Sequence, residues 1–155
     1  MDETRPARRV EAPPAALWAI AIIALGPFPG SALMYCYGPM ADRAYSLTVL
    51  LSWSALVLAF LGGVRWGLET REPAPRWYRL AFYALCAAAG LAVLLGRGLV
   101  PDPWLLALFI ASFMIQWLFD HQVPDTPSRY PSLSTALTAA AGMSLALALE
   151  KAING

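Results

Sequence analysis

The chain has 155 residues, of which 59% are hydrophobic and 14% charged, with a net charge of +1. A water-soluble domain is about half apolar and a quarter charged, so this composition excludes an ordinary soluble globule. A near-neutral chain also lacks the basic patch that nucleic-acid binding needs, so no nucleic-acid partner is expected.

The N-terminal residues 1–13 are polar and hold Arg5, Arg8 and Arg9. They read as a cytoplasmic tail rather than a secretory signal, because the apolar run that follows continues past Gly30 without a clean small-x-small cleavage site. Leu33-Met34-Tyr35-Cys36 resembles a lipoprotein signal, but bulky Tyr35 argues against cleavage there. From residue 14 to 150 the chain alternates long apolar blocks with short Pro- and Gly-rich joints, and 151–155 form a C-terminal tail.

A helix needs about 20 mostly apolar residues to cross a bilayer. Five segments meet that requirement: Ala15 to Tyr37, Tyr45 to Leu68, Tyr78 to Leu95, Trp104 to Phe119 and Leu133 to Leu149. The last two are short and are expected to extend into their flanks. Prolines 39, 73, 75, 101, 103, 124, 127 and 131 punctuate the joints, where a residue without an N–H can stop one helix and start the next. Trp18, Tyr35, Tyr37, Tyr45, Trp66, Trp77, Tyr78, Trp104, Trp117 and Tyr130 fall near the expected ends, where amphipathic rings favour the headgroup level. The fold class implied is an all-α integral membrane bundle of five transmembrane helices.

Basic residues set the expected orientation. With the N-terminus inside, Arg5, Arg8, Arg9, Arg71, Arg76, Arg79 and Arg129 lie on the inner side, and Arg43, Arg97 and Lys151 on the outer. Seven against three implies a cytoplasmic N-terminus and a periplasmic C-terminus. Ten arginines to one lysine, with abundant alanine, hint at GC-rich bacterial DNA, and so at a multi-pass protein of a bacterial inner membrane.

Three features stand out along the spans. In the first, Gly26, Pro27 and Pro29 leave carbonyls one turn earlier without helical donors, so the helix should kink. The kink either breaks the helix around a midplane site, as in some transporters, or is a structural bend satisfied by neighbours. In the second, Ala55, Ala59, Gly63 and Gly67 recur every fourth residue, a small-residue stripe on which another helix can approach closely. Internal packing is the plainer reading, and a second copy or another membrane protein is the alternative. Ser134, Thr138, Gly142 and Ala146 form a similar stripe in the fifth span.

The third feature is charge. Arg65 lies inside the second span near its cytoplasmic end, where its long side chain is expected to snorkel to the headgroups. The alternative is an ion pair inside the bundle. Glu69 lies one turn on, and Asp120 and His121 end the fourth span on the same side of the membrane, so a cytoplasmic-side polar cluster of Arg65, Glu69, Asp120 and His121 is expected.

Little in the chain suggests chemistry. No acidic residue sits near the centre of a span, which weakens a proton-coupled carrier. One histidine cannot supply paired haem ligands, no Cys/His spacing suits zinc, and Ser52 and Ser54 have no base nearby in sequence. Cys36 and Cys86 fall in different blocks and read as small buried hydrophobes. No cofactor, metal or catalytic residue is expected, and a non-enzyme is favoured over an enzyme without excluding one.

The run Leu58-Ala59-Phe60-Leu61-Gly62-Gly63-Val64-Arg65-Trp66-Gly67-Leu68 resembles the hallmark of domain-of-unknown-function family 3429, which includes mitochondrial transmembrane protein 69. The resemblance implies five spans and a Gly-Gly-x-x-Trp-Gly motif late in the second, here Gly62, Gly63, Trp66 and Gly67. Gly26-Pro27-Phe28 in the first span and Asp120 at the end of the fourth are similar too. In the loop into the fifth span the family has an aromatic residue, an Arg-Leu pair and a Thr; here Arg129 precedes Tyr130, with Leu133 and Thr138 following. The resemblance carries no activity.

Three functions follow as expectations. The first is an accessory or assembly subunit of a larger membrane complex, with the lipid bilayer and other membrane helices or further copies of itself as partners. The second is a small transporter or channel built on the broken first helix. The third is a membrane enzyme acting on lipid or quinone.

Overall fold

The computed structural model describes residues 22–122 and the backbone of 130–154, with side chains from 134 onward. The beginning of the first span, Trp18, the N-terminal arginines, Pro124, Pro127 and Arg129 lie outside the described residues. Five helices follow in order: α1 (Pro27–Tyr37), α2 (Met40–Glu69), α3 (Trp77–Leu95), α4 (Asp102–His121) and α5 (Tyr130–Asn154). No strand occurs among the described residues, only an isolated bridge between Arg97 and Val100 in the α3–α4 turn. Among the described residues four helices are long and apolar enough to cross a membrane; the described part of the first apolar segment, Ile22–Tyr37, is a shorter apolar helix.

The helices run past the hydrophobic segments that announce them. α2 begins five residues before Tyr45, and α5 ends at Asn154 rather than Leu149. Hydropathy marks the part of a helix that sits in lipid, whereas hydrogen bonding continues as far as the backbone is free to donate. At 1.5 Å per residue a 30-residue α2 is about 45 Å long, beyond the roughly 30 Å hydrocarbon core, so it tilts or projects. Prolines sit where they cost least. Pro39 and Pro101 precede the first turns of α2 and α4, Pro103 is inside the first turn of α4, and Pro131 is the second residue of α5.

α2 is the central helix and contacts all four others. α1 packs on α2 and α5, α3 on α2, and α4 on α5, α3 and α2. The core is Phe28 and Ala32 of α1, Leu47, Leu50, Leu51, Leu58 and Leu61 of α2, Leu105, Leu106, Phe109 and Phe113 of α4, and Leu137, Ala141, Leu145 and Ala148 of α5. Phe28 and Phe113 meet edge to face at 6.3 Å. Ile22, Ile23, Leu56, Phe60, Leu85, Leu91, Leu108, Ile115 and Leu118 face outward, an apolar exterior that only lipid or another protein suits.

The proline segment of α1 stays on a helical path. Gly26 keeps helical dihedrals (φ −54°, ψ −45°) and donates to Ile22 O at 2.9 Å, so the helical path continues from Ile22 into α1 through a single turn residue. A neighbouring helix also reaches this segment: the Trp53 indole N–H donates to Ala24 O at 2.9 Å. Gly26, Pro27 and Pro29 thus lie on a helical path that is continuous from Ile22 to Tyr37.

α2 and α3 approach closely on a seam different from the every-fourth-residue stripe. A Cβ on Gly62 would lie 2.9 Å from the Tyr83 carbonyl oxygen, and one on Gly90 would lie 3.3 Å from the Ala55 Cα. Ala55 and Gly62, seven residues apart, thus oppose Gly90 and Tyr83, also seven apart, in an antiparallel pair. Gly63 is exposed and Gly67 half-buried, with nothing within 4 Å of an added Cβ at either. The reason is helical arithmetic. Four residues turn about 400°, so an every-fourth stripe drifts about 40° per step and about 120° from Ala55 to Gly67. The fifth-span stripe drifts likewise: Ser134 and Thr138 are buried, Gly142 is half-buried and Ala146 exposed.

Candidate functional site: a buried ion pair at one end of the bundle

The antiparallel layout brings the C-terminal ends of α2 and α4 to the same end as the N-terminal ends of α3 and α5. Arg65, four residues before the end of α2, points inward and is 3% exposed. Its Nε lies 2.8 Å from Asp120 Oδ1, and its Nη2 donates to the Asp120 backbone oxygen at 2.9 Å. The second carboxylate oxygen of Asp120 accepts from the Ser134 hydroxyl at 2.9 Å. Arg65 therefore does not snorkel outward. Its side chain ties α2 to α4, and Asp120 passes the link on to α5.

The position of this pair has a physical logic. The last carbonyls of a helix lack intrahelical donors and carry the negative end of its dipole, so a guanidinium there is favoured. Arg65 supplies a donor to one such carbonyl of α4 and a counter-charge to the carboxylate of the same residue. Burying two charges is costly, and the pair tolerates burial only because the carboxylate and guanidinium satisfy each other and further hydrogen bonds complete them.

Glu69 does not join that pair, although it follows Arg65 by one turn. It is 6% exposed and reaches α3 instead. Its Oε1 accepts from the Arg76 backbone N–H at 3.0 Å, and its Oε2 lies 3.3 Å from Arg79 Nη1. The carboxylate caps the N-terminus of α3, where unpaired N–H groups favour negative charge. Arg65 and Glu69 thus complement opposite dipole ends of two neighbouring helices.

His121 stands apart from both pairs. It is exposed, its Nδ1 lies 3.1 Å from the Trp117 carbonyl oxygen, and its ring tilts against Trp117 at 4.3 Å. Asp120 and His121 are adjacent, so their side chains leave α4 about 100° apart and cannot share the inner face. Trp66 is half exposed on the outer side of α2. Trp117 donates its indole N–H to Thr135 Oγ1 at 3.2 Å, a second link from α4 to α5.

Two further polar residues belong to this end of the bundle beyond the four expected from the sequence. Ser134, a member of the small-residue stripe of the fifth span, donates to the buried carboxylate. Gln116 sits one turn before Asp120 on the same face of α4 and is 1% exposed. A polar residue recurring at i−4 from a buried acid, inside an apolar run, was the available signal.

The remaining polar groups serve packing. Ser54 is fully buried and donates to Leu50 O at 2.7 Å. Both cysteines are buried thiols, with Cys36 Sγ 3.6 Å from Leu147 O. At the opposite end, Arg97 holds Thr48 Oγ1 and Ala44 O, joining the end of α3 to the start of α2. Among the described residues no group of three His, Cys, Asp or Glu side chains is placed to hold a metal ion.

The Gly62, Gly63, Trp66 and Gly67 motif and the pairing beneath it belong to a chain whose residues 13–150 match the family described as Protein of unknown function (DUF3429). The chain is a member of that family. No curated protein and no solved structure matches it.

Proposed function

We propose that this protein is an accessory or assembly subunit of a larger membrane complex, and that it meets its partner on the outer face of α2 around Gly63 and Gly67. The observation that carries this reading is the division of labour among the glycines. Gly62 and Gly90 serve the internal seam, whereas Gly63 and Gly67 leave open space on a face flanked by exposed Phe60 and Trp66. Small residues with a large aromatic beside them let a second helix approach its backbone within the bilayer. The partner is a helix of another membrane protein or of a second copy.

The same proposal places the chain in a bacterial inner membrane, with its N-terminus cytoplasmic and its C-terminus periplasmic, on the strength of the arginine distribution. A transporter or channel finds less support. Arg65 is matched by Asp120 inside the bundle rather than held ready for an anionic ligand. The enzyme reading gains no observation.

The test is mild-detergent purification from the native membrane of the wild type and the Gly63→Leu variant. The expected result is a stoichiometric membrane-protein partner, or a homodimer, that Gly63→Leu loses while the monomer keeps its melting temperature. An unchanged set of bound proteins in Gly63→Leu would remove this face from consideration.

A further inference from the structure

The inner end of the Arg65–Asp120–Ser134 network points to something the pair itself does not explain. Gln116 carries two N–H donors and a carbonyl acceptor on its side chain. It is 1% exposed, and neither its Nε2 nor its Oε1 has a hydrogen-bond partner among the described residues. Leaving a buried donor or acceptor unmade costs about 1–3 kcal/mol, and such groups in folded proteins are met by protein or by ordered water.

The surroundings favour water. The Asp120–Ser134 and Trp117–Thr135 hydrogen bonds fix α4 and α5 as antiparallel neighbours in register. Continuing that register by one turn sets Gln116 level with Thr138, which is 7% exposed. On its other side, one turn along α4, lies the Asp120 carboxylate. A small neutral molecule able both to donate and to accept suits an amide, a hydroxyl and a carboxylate in succession. The layer beyond, with Phe113, Phe109 and Leu106, is apolar and fully buried, so the polar column ends there.

We propose that Gln116 marks an internal hydration site, in which bound water bridges its carboxamide towards Thr138 and Asp120 and carries the polar network one turn deeper into the membrane-embedded bundle. The site is independent of any partner on the outer face of α2. Buried water of this kind makes about three hydrogen bonds and is held as part of the structure. It also spreads the burial cost of the Arg65–Asp120 pair over more hydrogen bonds.

The chain has two glutamines, Gln116 and Gln122, and Gln122 is exposed. Selective ¹⁵N labelling of glutamine in the full chain, in lipid nanodiscs, therefore gives two side-chain amide signals. The signal lost in Gln116→Met identifies the buried one, and Gln122 is the hydrated control. The expected result is a cross-peak between the Gln116 side-chain N–H and the water resonance, with exchange into D₂O slower than for Gln122. Absence of the water cross-peak, with cross-peaks to protein protons in its place, would show a dry amide satisfied by protein and overturn the proposal. A second readout is the sign of the stability change. A hydrated Gln116 makes Gln116→Met lower the melting temperature, whereas a dry, unsatisfied amide makes the apolar near-isostere raise it, which would also overturn the proposal.

Discussion

Arg65 does three things from one position: it neutralises Asp120, donates to a C-terminal carbonyl of α4, and joins the central helix α2 to α4. Removing it alone strands a carboxylate, and breaking a buried pair costs about 3–5 kcal/mol. Arg65→Leu should therefore lower the melting temperature sharply in detergent. The double variant Arg65→Leu/Asp120→Leu should recover much of the loss, because an apolar pair of similar size needs no counter-charge. A double variant no more stable than Arg65→Leu would show that the carbonyl cap, not the charge pair, dominates. At a smaller scale, Trp53→Phe removes the donor to the Ala24 carbonyl beside the proline segment. A lost hydrogen bond of this kind should cost about 0.5–1.5 kcal/mol in chemical or thermal unfolding.

At the scale of elements, adjacent glycines in α2 have opposite roles because they point in different directions. Gly62→Leu must push α3 away from α2, since even a Cβ meets the Tyr83 carbonyl oxygen at 2.9 Å. It should destabilise the folded bundle by more than about 2 kcal/mol, comparable to the worse overpacking substitutions. Gly63→Ala, with open space around it, should leave unfolding unchanged or slightly improved, since alanine favours helix. Equal melting temperatures for Gly62→Leu and the wild type would refute the seam. Hydrophobic runs announced the number and order of the helices well, because a lipid-crossing segment must be apolar along its whole length. The facing of each helix was less legible. A stripe read at every fourth residue looks continuous in sequence but winds around the helix, so Ala55 finds the core and Gly63 the outside.

For the whole molecule, the orientation proposed from the arginine distribution, a cytoplasmic N-terminus and a periplasmic C-terminus, is open to a direct test. Both native cysteines are buried, so introduced thiols can report sidedness. Asn154→Cys should react with an impermeant maleimide added to intact cells, and Arg8→Cys should react only after the membrane is opened. The reverse pattern would invert the topology without changing the bundle.

The amino-acid sequence by itself determined that the chain is a helical membrane protein and where its spans lie. It also placed Arg65, Glu69, Asp120 and His121 within a few residues of one end. These follow from composition and from the 3.6-residue repeat, which are local properties. Only the tertiary structure decided which of those charges meet. Arg65 turns inward to Asp120 and Ser134, Glu69 crosses to the start of α3, and His121 looks outward over Trp117. Partner choice depends on how helices far apart in sequence rotate and slide against one another. That rotation is set by where backbones can approach, at Gly62 and Gly90, and by the requirement that every charge held out of water find its counter-charge inside the bundle.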